Sequence, residues 1–507
     1  MKKLLGIGLL FLASTVQAAV YTSTSTVWYV HVNGSTMAAG GFDPGAAVTT
    51  CGTNYADQDS TQAYLTDLKT NVASDKSLSS LSANFDSTYL CNSVLISTQS
   101  AGTNFTNGVY FITKIVTSTA VIVDRAVSTA GGAGANGVGY FGGAWKDPTR
   151  WVTAQAASGV ALPAEPIAVS PAQTIMVQGS GSLDGSTTDY TWPSYNTWVA
   201  GNTTTGPIKI TGYNGRPYIV HNGLMANVPT NWVFSHLKLV DSGSGQRAAF
   251  NNTGISGGIT DCIIDANGNG DVHQLQVTIS GGEMSIWNNE FRNSGIKTAG
   301  TAAKGLLGLT GYAIFAHDNW IHDGRTDGIY MSGTMSTVYN NIISSNALHG
   351  IEINSGNTYA NGIINNTIDG NYSDGVHLDA VNSIAITTLS GNLITNNGAY
   401  GLNIAAGTAQ PNWNLTQGLW DYNDYYGNAT SAYHNMSAGA HDQTLNPNYS
   451  SRGDTTSSNW TPTNTSLNVG WPMSWINSAT VGYPWIGAVT PQSTSGSGGT
   501  KGWIFSQ

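Results

Sequence analysis

Titratable residues are scarce in this chain, and many of those present fall at equivalent places in a recurring pattern. Only 9% of its 507 residues are charged. Four similar runs nevertheless collect acids and imidazoles: Asp327-Gly-Ile-Tyr-Met331, His349-Gly-Ile-Glu-Ile353, Asp374-Gly-Val-His-Leu378 and Tyr400-Gly-Leu-Asn-Ile404. Apolar and polar residues alternate within each run, the period of a half-buried strand whose apolar side chains point inward. Stacked as neighbours, the runs would present three outward rows. The first is Tyr330, Glu352, His377 and Asn403; the second is Ser332, Asn354, Asp379 and Ala405. The third precedes the glycines and holds Asp327, His349, Asp374 and Tyr400.

Two chemistries can be written on such a face. Glycoside hydrolysis needs two carboxyl groups across the scissile bond, about 6.5–9.5 Å apart in an inverting enzyme. Glu352 and Asp379 differ by one strand and two residues along it, a backbone separation of about 8 Å. His377, beside Glu352, would tune its proton affinity. Asp327 and Asp374 supply further carboxylates, with His349 between them. Elimination from a uronate instead needs a base and a cation to neutralise the uronate carboxylate. Arg325 lies near the patch in sequence, and Tyr330, Asn354, Asn403 and Tyr400 are candidates for holding substrate. The plainer alternative is that Asp-Gly marks a turn and that outward Glu and His are merely solvated.

A second candidate is Asp265-Ala-Asn-Gly-Asn-Gly-Asp271, with the D-x-N-x-N-G opening of a calcium loop. Asp265, Asn267, Asn269 and Asp271 would be its ligands, which makes Ca²⁺ the candidate cofactor. Gln276 stands where such a loop places its bidentate Glu, and no helical pattern flanks it, so an Asn-Gly turn competes with the metal reading. Trp192, Trp198, Trp287, Trp320, Trp413 and Trp420 are candidate platforms for sugar rings or, alternatively, packing residues.

The elements that must position these groups follow from a second repeat. Asn289-Glu-Phe291, Asn319-Trp-Ile321, Asn341-Ile-Ile343, Asn366-Thr-Ile368, Asn392-Leu-Ile394 and Asn423-Asp-Tyr425 recur in step with the first. A period of 20–50 residues indicates a solenoid. Short strands joined by Gly and Asn turns, all running the same way, make a parallel β-helix, and asparagines at one register can hydrogen-bond from coil to coil. Strands are expected at Val27–Val32, Ser93–Ile96, Val109–Val116, Thr119–Val123, Thr174–Val177 and Pro207–Gly212.

With these repeats the chain resembles the right-handed parallel β-helix superfamily, which includes pectate lyases, polygalacturonases, alginate lyases and many phage tailspikes. The resemblance supplies the handedness. Gly40-Gly-Phe-Asp-Pro-Gly45, Gly52-Thr-Asn-Tyr-Ala-Asp-Gln-Asp59 and the stretch from Gly102 to Arg125 are similar to an N-terminal module of a subgroup from environmental bacteria and phages. Tyr422-Asn-Asp-Tyr-Tyr426 and Ile486-Gly-Ala-Val489 resemble its closing segment. The resemblance implies an all-β chain that acts on or binds polysaccharide or a cell-surface glycan, as hydrolase or lyase. The competing implication is a non-catalytic adhesin or tailspike-like receptor-binding protein. The full motif set of the polygalacturonases is missing, so no catalytic residue is carried over.

The ends and composition bound the rest. Lys2 and Lys3, the apolar run Leu4 to Ala13 and Val16-Gln17-Ala18 form a signal-peptide pattern over 1–18, which predicts export. A β-rich N-terminal module is expected over 19–165, the β-helix over 166–435, a C-terminal cap over 436–489, and a Ser/Gly linker and tail over 490–507. A net charge of −10 argues against nucleic acid, and no later run is long enough to span a bilayer. A monomer or a homotrimer fits. Three cysteines are too few for a disulfide scaffold: Cys51 and Cys91 could bridge, and Cys262 reads as a buried thiol.

Overall fold

Alternating apolar residues make strands, and the Gly- and Asn-rich joints between them turn the chain through about one coil per repeat. In the computed structural model the described residues are 27–30, 63–70, 75–90, 93–97, 105–106, 108–128, 137–141, 174–179, 188–192, 207–213, 215–221, 225–226, 231–242, 250–252, 257–268, 275–279, 283–293, 305–354, 361–379, 386–405, 420–452, 460–467 and 486–488. They are nearly all β, and they divide into two units, 1–173 and 174–507. Among them no helix is long and apolar enough to cross a membrane. The signal-peptide pattern, Cys51, Cys91, Trp198, Trp413 and the Ser/Gly linker lie outside the described residues.

The first unit contains an antiparallel sheet. Its order is Ala63–Leu68, Gly137–Phe141, Ser93–Ser97, Gly108–Thr117, Ala120–Val123 and Ser77–Ser79. Leu68, Leu78, Val94, Ile96, Ile112, Val121 and Phe141 fill its core with no solvent exposure.

The second unit is a parallel β-helix. Each coil contributes a strand to each of three parallel sheets before the chain rises to the next. One sheet runs through Ile351–Ile353, Val376–Leu378 and Tyr400–Ile404 to Ser431–His434. The next includes Asn361–Ile364 and Ile386–Ser390. The third is ten strands long, from Tyr190–Trp192 to Asp424–Tyr426, and includes Glu290–Arg292, Ile342–Ser344 and Thr367–Asp369. Ile329, Ile351, Val376 and Leu402 point inward in one column, and Phe291, Ile321, Ile343, Ile368 and Ile394 in another, all fully buried.

The predicted asparagine column is a continuous hydrogen-bonded ladder. Asn319 Nδ2 donates to Asn341 Oδ1 (2.9 Å), Asn341 to Asn366 (3.0 Å), Asn366 to Asn392 (3.1 Å) and Asn392 to Asn423 (2.9 Å). Each Oδ1 also accepts the backbone N–H of the asparagine one coil before, and each Nδ2 also reaches a strand carbonyl, such as Ile286 for Asn319. The amides are therefore fully used inside the wall, where an unmet polar group would cost about 1–3 kcal/mol. The residue before each ladder position takes a left-handed φ, as at Asn340 (55°) and Asn365 (53°), a conformation asparagine tolerates. The ladder ends on a carboxylate: Asp442 Oδ1 accepts from the backbone N–H (2.9 Å) and Nδ2 (3.3 Å) of Asn423.

A second ladder lies at the turn leading into the first sheet: Asn346 to Asn371 (2.9 Å), Asn371 to Asn397 (3.0 Å) and Asn397 to Asn428 (2.9 Å). It explains the glycine in every Asp-Gly-Ile-like run. A Cβ on Gly350 would lie 2.4 Å from Ile368 Cγ2 and 2.9 Å from Asn371 Nδ2; on Gly375, 2.4 Å from Ile394 Cγ2 and 2.8 Å from Asn397 Nδ2. The glycine column makes room for ladder and core at once, and it aligns the four runs on one outer face.

The C-terminal part lies against the outer side of the ten-stranded sheet. Leu467 and Ile486 pack on Leu393, Arg452 Nε pairs with Asp369 (2.8 Å), and Tyr449 bonds Thr395 (2.9 Å).

Candidate functional site

Strand register decides which outward groups meet. Tyr330 stands opposite Glu352, Glu352 opposite His377, His377 opposite Asn403, and Asn403 opposite His434. The first row is as read from the pattern, with His434 as a fifth member. That residue escaped the sequence reading because Ser431-Ala-Tyr-His434 lacks the glycine that marks the other runs. Gly305, not a titratable residue, stands opposite Asp327.

Asp374 organises the upper part of the site. It is 2% exposed, and its oxygens face several donors. Oδ1 accepts the Tyr400 N–H (2.9 Å); Oδ2 meets His377 Nδ1 (2.8 Å) and Asn403 Nδ2 (2.8 Å), while His349 Nδ1 accepts the Asp374 backbone N–H (3.2 Å) and lies 3.3 Å from Oδ2. Burial alone would raise its pKa; the His349, His377 and Asn403 side chains and the Tyr400 N–H outweigh that and hold it well below the usual carboxylate range. The His349 and His377 rings stack with centroids 4.2 Å apart, and Tyr400 stacks on His434 at 4.5 Å. His434 Nδ1 bonds Asn403 Oδ1 (2.8 Å), which extends the network across the next strand.

The lower part sets acid against acid. Asp327 is wholly buried and Glu352 is 8% exposed. Asp327 Oδ1 accepts the His349 N–H (3.0 Å), while its Oδ2 is buried with no hydrogen-bond partner. Burial, and then the adjacent Glu352 carboxyl, push Asp327 well above the ordinary carboxylic range. Glu352 occupies its expected outward row but is largely enclosed against Asp327. Tyr330, part-buried above this pair, is raised by burial and then by Glu352, Asp327 and Asp379, which places all four groups within one electrostatic neighbourhood.

The remaining sequence candidates are divided between the second row and places away from the patch. Asp379 and Asn354 lie in the second row, their N–H groups bonded to Ile353 O (3.0 Å) and Met331 O (2.9 Å). Arg325 reaches back along the turn edge, Nη1 donating to Gly268 O (3.1 Å). In the calcium-loop candidate, Asp265 Oδ1 accepts the Asn267 N–H (2.9 Å) and Oδ2 pairs with Arg292 Nε (2.9 Å). Asn267 Nδ2 bonds Asp241 O (2.9 Å); Asn269 and Asp271 lie outside the described residues. Trp192 is core, and Trp287 lines up with His317 and Tyr339 along the second sheet.

Two groups on the first sheet bring metal-competent atoms within 4.8 Å of one another: His349, Asp374 and His377, and Asp327, His349 and Glu352.

Residues 242–416 match the family model described as the right handed beta helix region. Over these residues the chain is a right-handed parallel β-helix. No curated protein matches it. Among solved structures, this β-helix is similar to pectate lyase Pel9A at 15% identity, over 65% of this chain and 92% of that one, with a TM-score of 0.44. It is also similar to the periplasmic alginate epimerase AlgG at 11% identity, over 54% of this chain and 77% of that one, with a TM-score of 0.23.

Proposed function

We propose that this β-helix protein is exported and cleaves polysaccharide along the first sheet between the strands of Tyr330 and His434. One observation carries the reading: Tyr330, Glu352, His377, Asn403 and His434 stand in register across five successive strands. Such a row offers an extended, regularly spaced polar surface to a linear chain of sugar rings, with part-buried tyrosines at Tyr330 and Tyr400 for ring contact. Export is supported by the signal-peptide pattern at 1–18.

The proton-transfer group is His377. Its Nδ1 is tied to the Asp374 carboxylate, which fixes the ring and turns Nε2 away from that contact. Asp379, two residues along the same strand direction, is the partner carboxylate on the exposed side. The Asp327–Glu352 pair lies beneath them as the fixed electrostatic floor.

The test is a panel of pectins, alginates and neutral glycans incubated with the full chain, scored for new reducing ends and for unsaturated uronates. Reducing ends without unsaturation mean hydrolysis; unsaturation means elimination. His377→Gln and Asp379→Asn are each expected to lower the rate about a hundredfold or more. Retained glycan binding with no cleavage of any polymer by the wild type would sink the catalytic reading and leave the receptor-binding one.

A further inference from the structure

The two metal-competent groups on the first sheet are not equivalent. In the upper one, the Asp374 oxygens already face Tyr400 N–H, Asn403 Nδ2 and the His377 and His349 nitrogens, so its charge is met without an ion. In the lower one, two enclosed carboxyls face each other, and Oδ2 of the wholly buried Asp327 meets no donor, only the Glu352 carboxyl. Native proteins rarely leave a buried carboxylate oxygen unmet, and two adjacent carboxylates need a positive charge between them. Either a proton or a cation can supply it.

We propose that Asp327, Glu352 and His349 hold a divalent transition-metal cation, with Zn²⁺ as the ion that fits. One ligand atom from each lies within 4.8 Å of the others. Four ligands around zinc at about 2.0–2.1 Å stand about 3.4 Å apart, so modest side-chain rotation closes the set. Asp327 is the fixed member, held through Oδ1 by the His349 N–H. Asp374 steadies the His349 ring from the other side. A ring nitrogen among the ligands favours zinc over calcium, which takes oxygen ligands. Two carboxylates balance the charge of the dication. Three protein ligands leave a fourth position for water or substrate, the pattern of a catalytic rather than a structural zinc. This inference does not depend on the glycan reading.

The experiment therefore contains no glycan. The full chain is stripped with chelator, dialysed, and titrated with Zn²⁺ alone by calorimetry, with circular dichroism confirming the fold. Saturable uptake of about one ion per chain is expected, with a rise in the thermal midpoint. Asp327→Asn and His349→Gln are each expected to weaken binding at least tenfold; His349 is part-buried, so its variant keeps the test open if Asp327→Asn does not fold. Asp318→Asn, on a different edge of the coil, serves as the control and binds like the wild type. No uptake by the folded wild type, or uptake undiminished in both ligand variants, overturns the proposal and leaves a shared proton between the carboxyls. Zinc binding intact with no glycan cleavage would count against the polysaccharide reading alone.

Discussion

The β-helix carries two clusters of titratable side chains on different sheets, and they are built on opposite plans. On the ten-stranded sheet Arg292 sits between Asp265 (2.9 Å) and Glu290 (2.8 Å), while His322 bonds Asp323 (2.8 Å) and approaches Glu290 (3.4 Å). Signs alternate, and each charge lowers its neighbour's cost. Burial would raise Glu290, but His322 and Arg292 pull it below its ordinary value; burial would lower His322, but Asp323 and Glu290 raise it. On the first sheet Asp327 faces Glu352, and among the described residues only the His349 imidazole lies within reach of both carboxyls, with no guanidinium paired to either. The first arrangement is what a stability role produces. The second is held in place by the fold at a cost, the feature on which the proposed site rests.

The contrast can be broken at either end. A large effect is expected from Arg292→Met, which removes the guanidinium paired with the buried Asp265 carboxylate and with Glu290. Stability should fall by about 2 kcal/mol, discounted from the fully buried case because Arg292 is part-exposed, and glycan cleavage per folded molecule should not change. Urea unfolding monitored by circular dichroism measures it. If cleavage falls with stability intact, the ion-paired cluster has been assigned the wrong role.

Asp424 gives a second large effect with a defined sign. It is wholly buried, its Oδ2 has no hydrogen-bond partner, and its pKa is pushed up to about 7, by burial first and by Asp442 as well, against the Leu445 N–H. The folded state therefore binds this proton more tightly than the unfolded state. Its contribution is fully present below the unfolded carboxyl pKa near ~4 and is lost as pH rises through about 7. The loss is on the order of 4 kcal/mol over that window. Asp424→Asn should flatten this part of the pH–stability curve. A variant curve parallel to the wild type would show that Asp424 does not carry it.

A smaller effect of opposite sign is expected at the acid pair. In metal-free protein, Asp327→Asn removes the carboxyl opposition while the amide oxygen can still accept the His349 N–H. We expect a gain of roughly 1 kcal/mol near neutral pH, as relief of a carboxyl opposition held in place by the fold would give. A clear destabilisation would mean that the pair is structural, like its counterpart. The smallest effect concerns Cys262, whose thiol burial pushes up to about 12. It should resist alkylation in native protein and react fully in denaturant; labelling of the native wild type would show that this wall opens.

Much of the fold was legible because the solenoid repeats its own constraints. Six asparagines at one register announced the first ladder, and apolar alternation announced the strands. The second ladder, at Asn346, Asn371, Asn397 and Asn428, is equally periodic but is missed in the sequence, where the glycine column that accommodates it reads only as a turn signal. The order of groups along the rows was legible too, because a period of two leaves no freedom once neighbours align, but their exposure was not, since Asp327 and Asp374 are buried. What periodicity cannot express is the direction in which a side chain leans. Glu352 is outward by register, yet it turns against Asp327 and is almost enclosed. Arg325, near the patch in sequence, spends its guanidinium on Gly268 O.

The sequence by itself thus determined the coil, its inward residues and the order of groups along the face, since each follows from short-range spacing repeated many times. Only the tertiary structure decided which of those groups are satisfied and which are not. Asp374 and Asp327 occupy equivalent positions in their runs. Asp374 gathers donors from its own strand and from the next coil, while Asp327 accepts one N–H from the next coil and otherwise meets a second carboxyl there, a difference that neither run alone expresses.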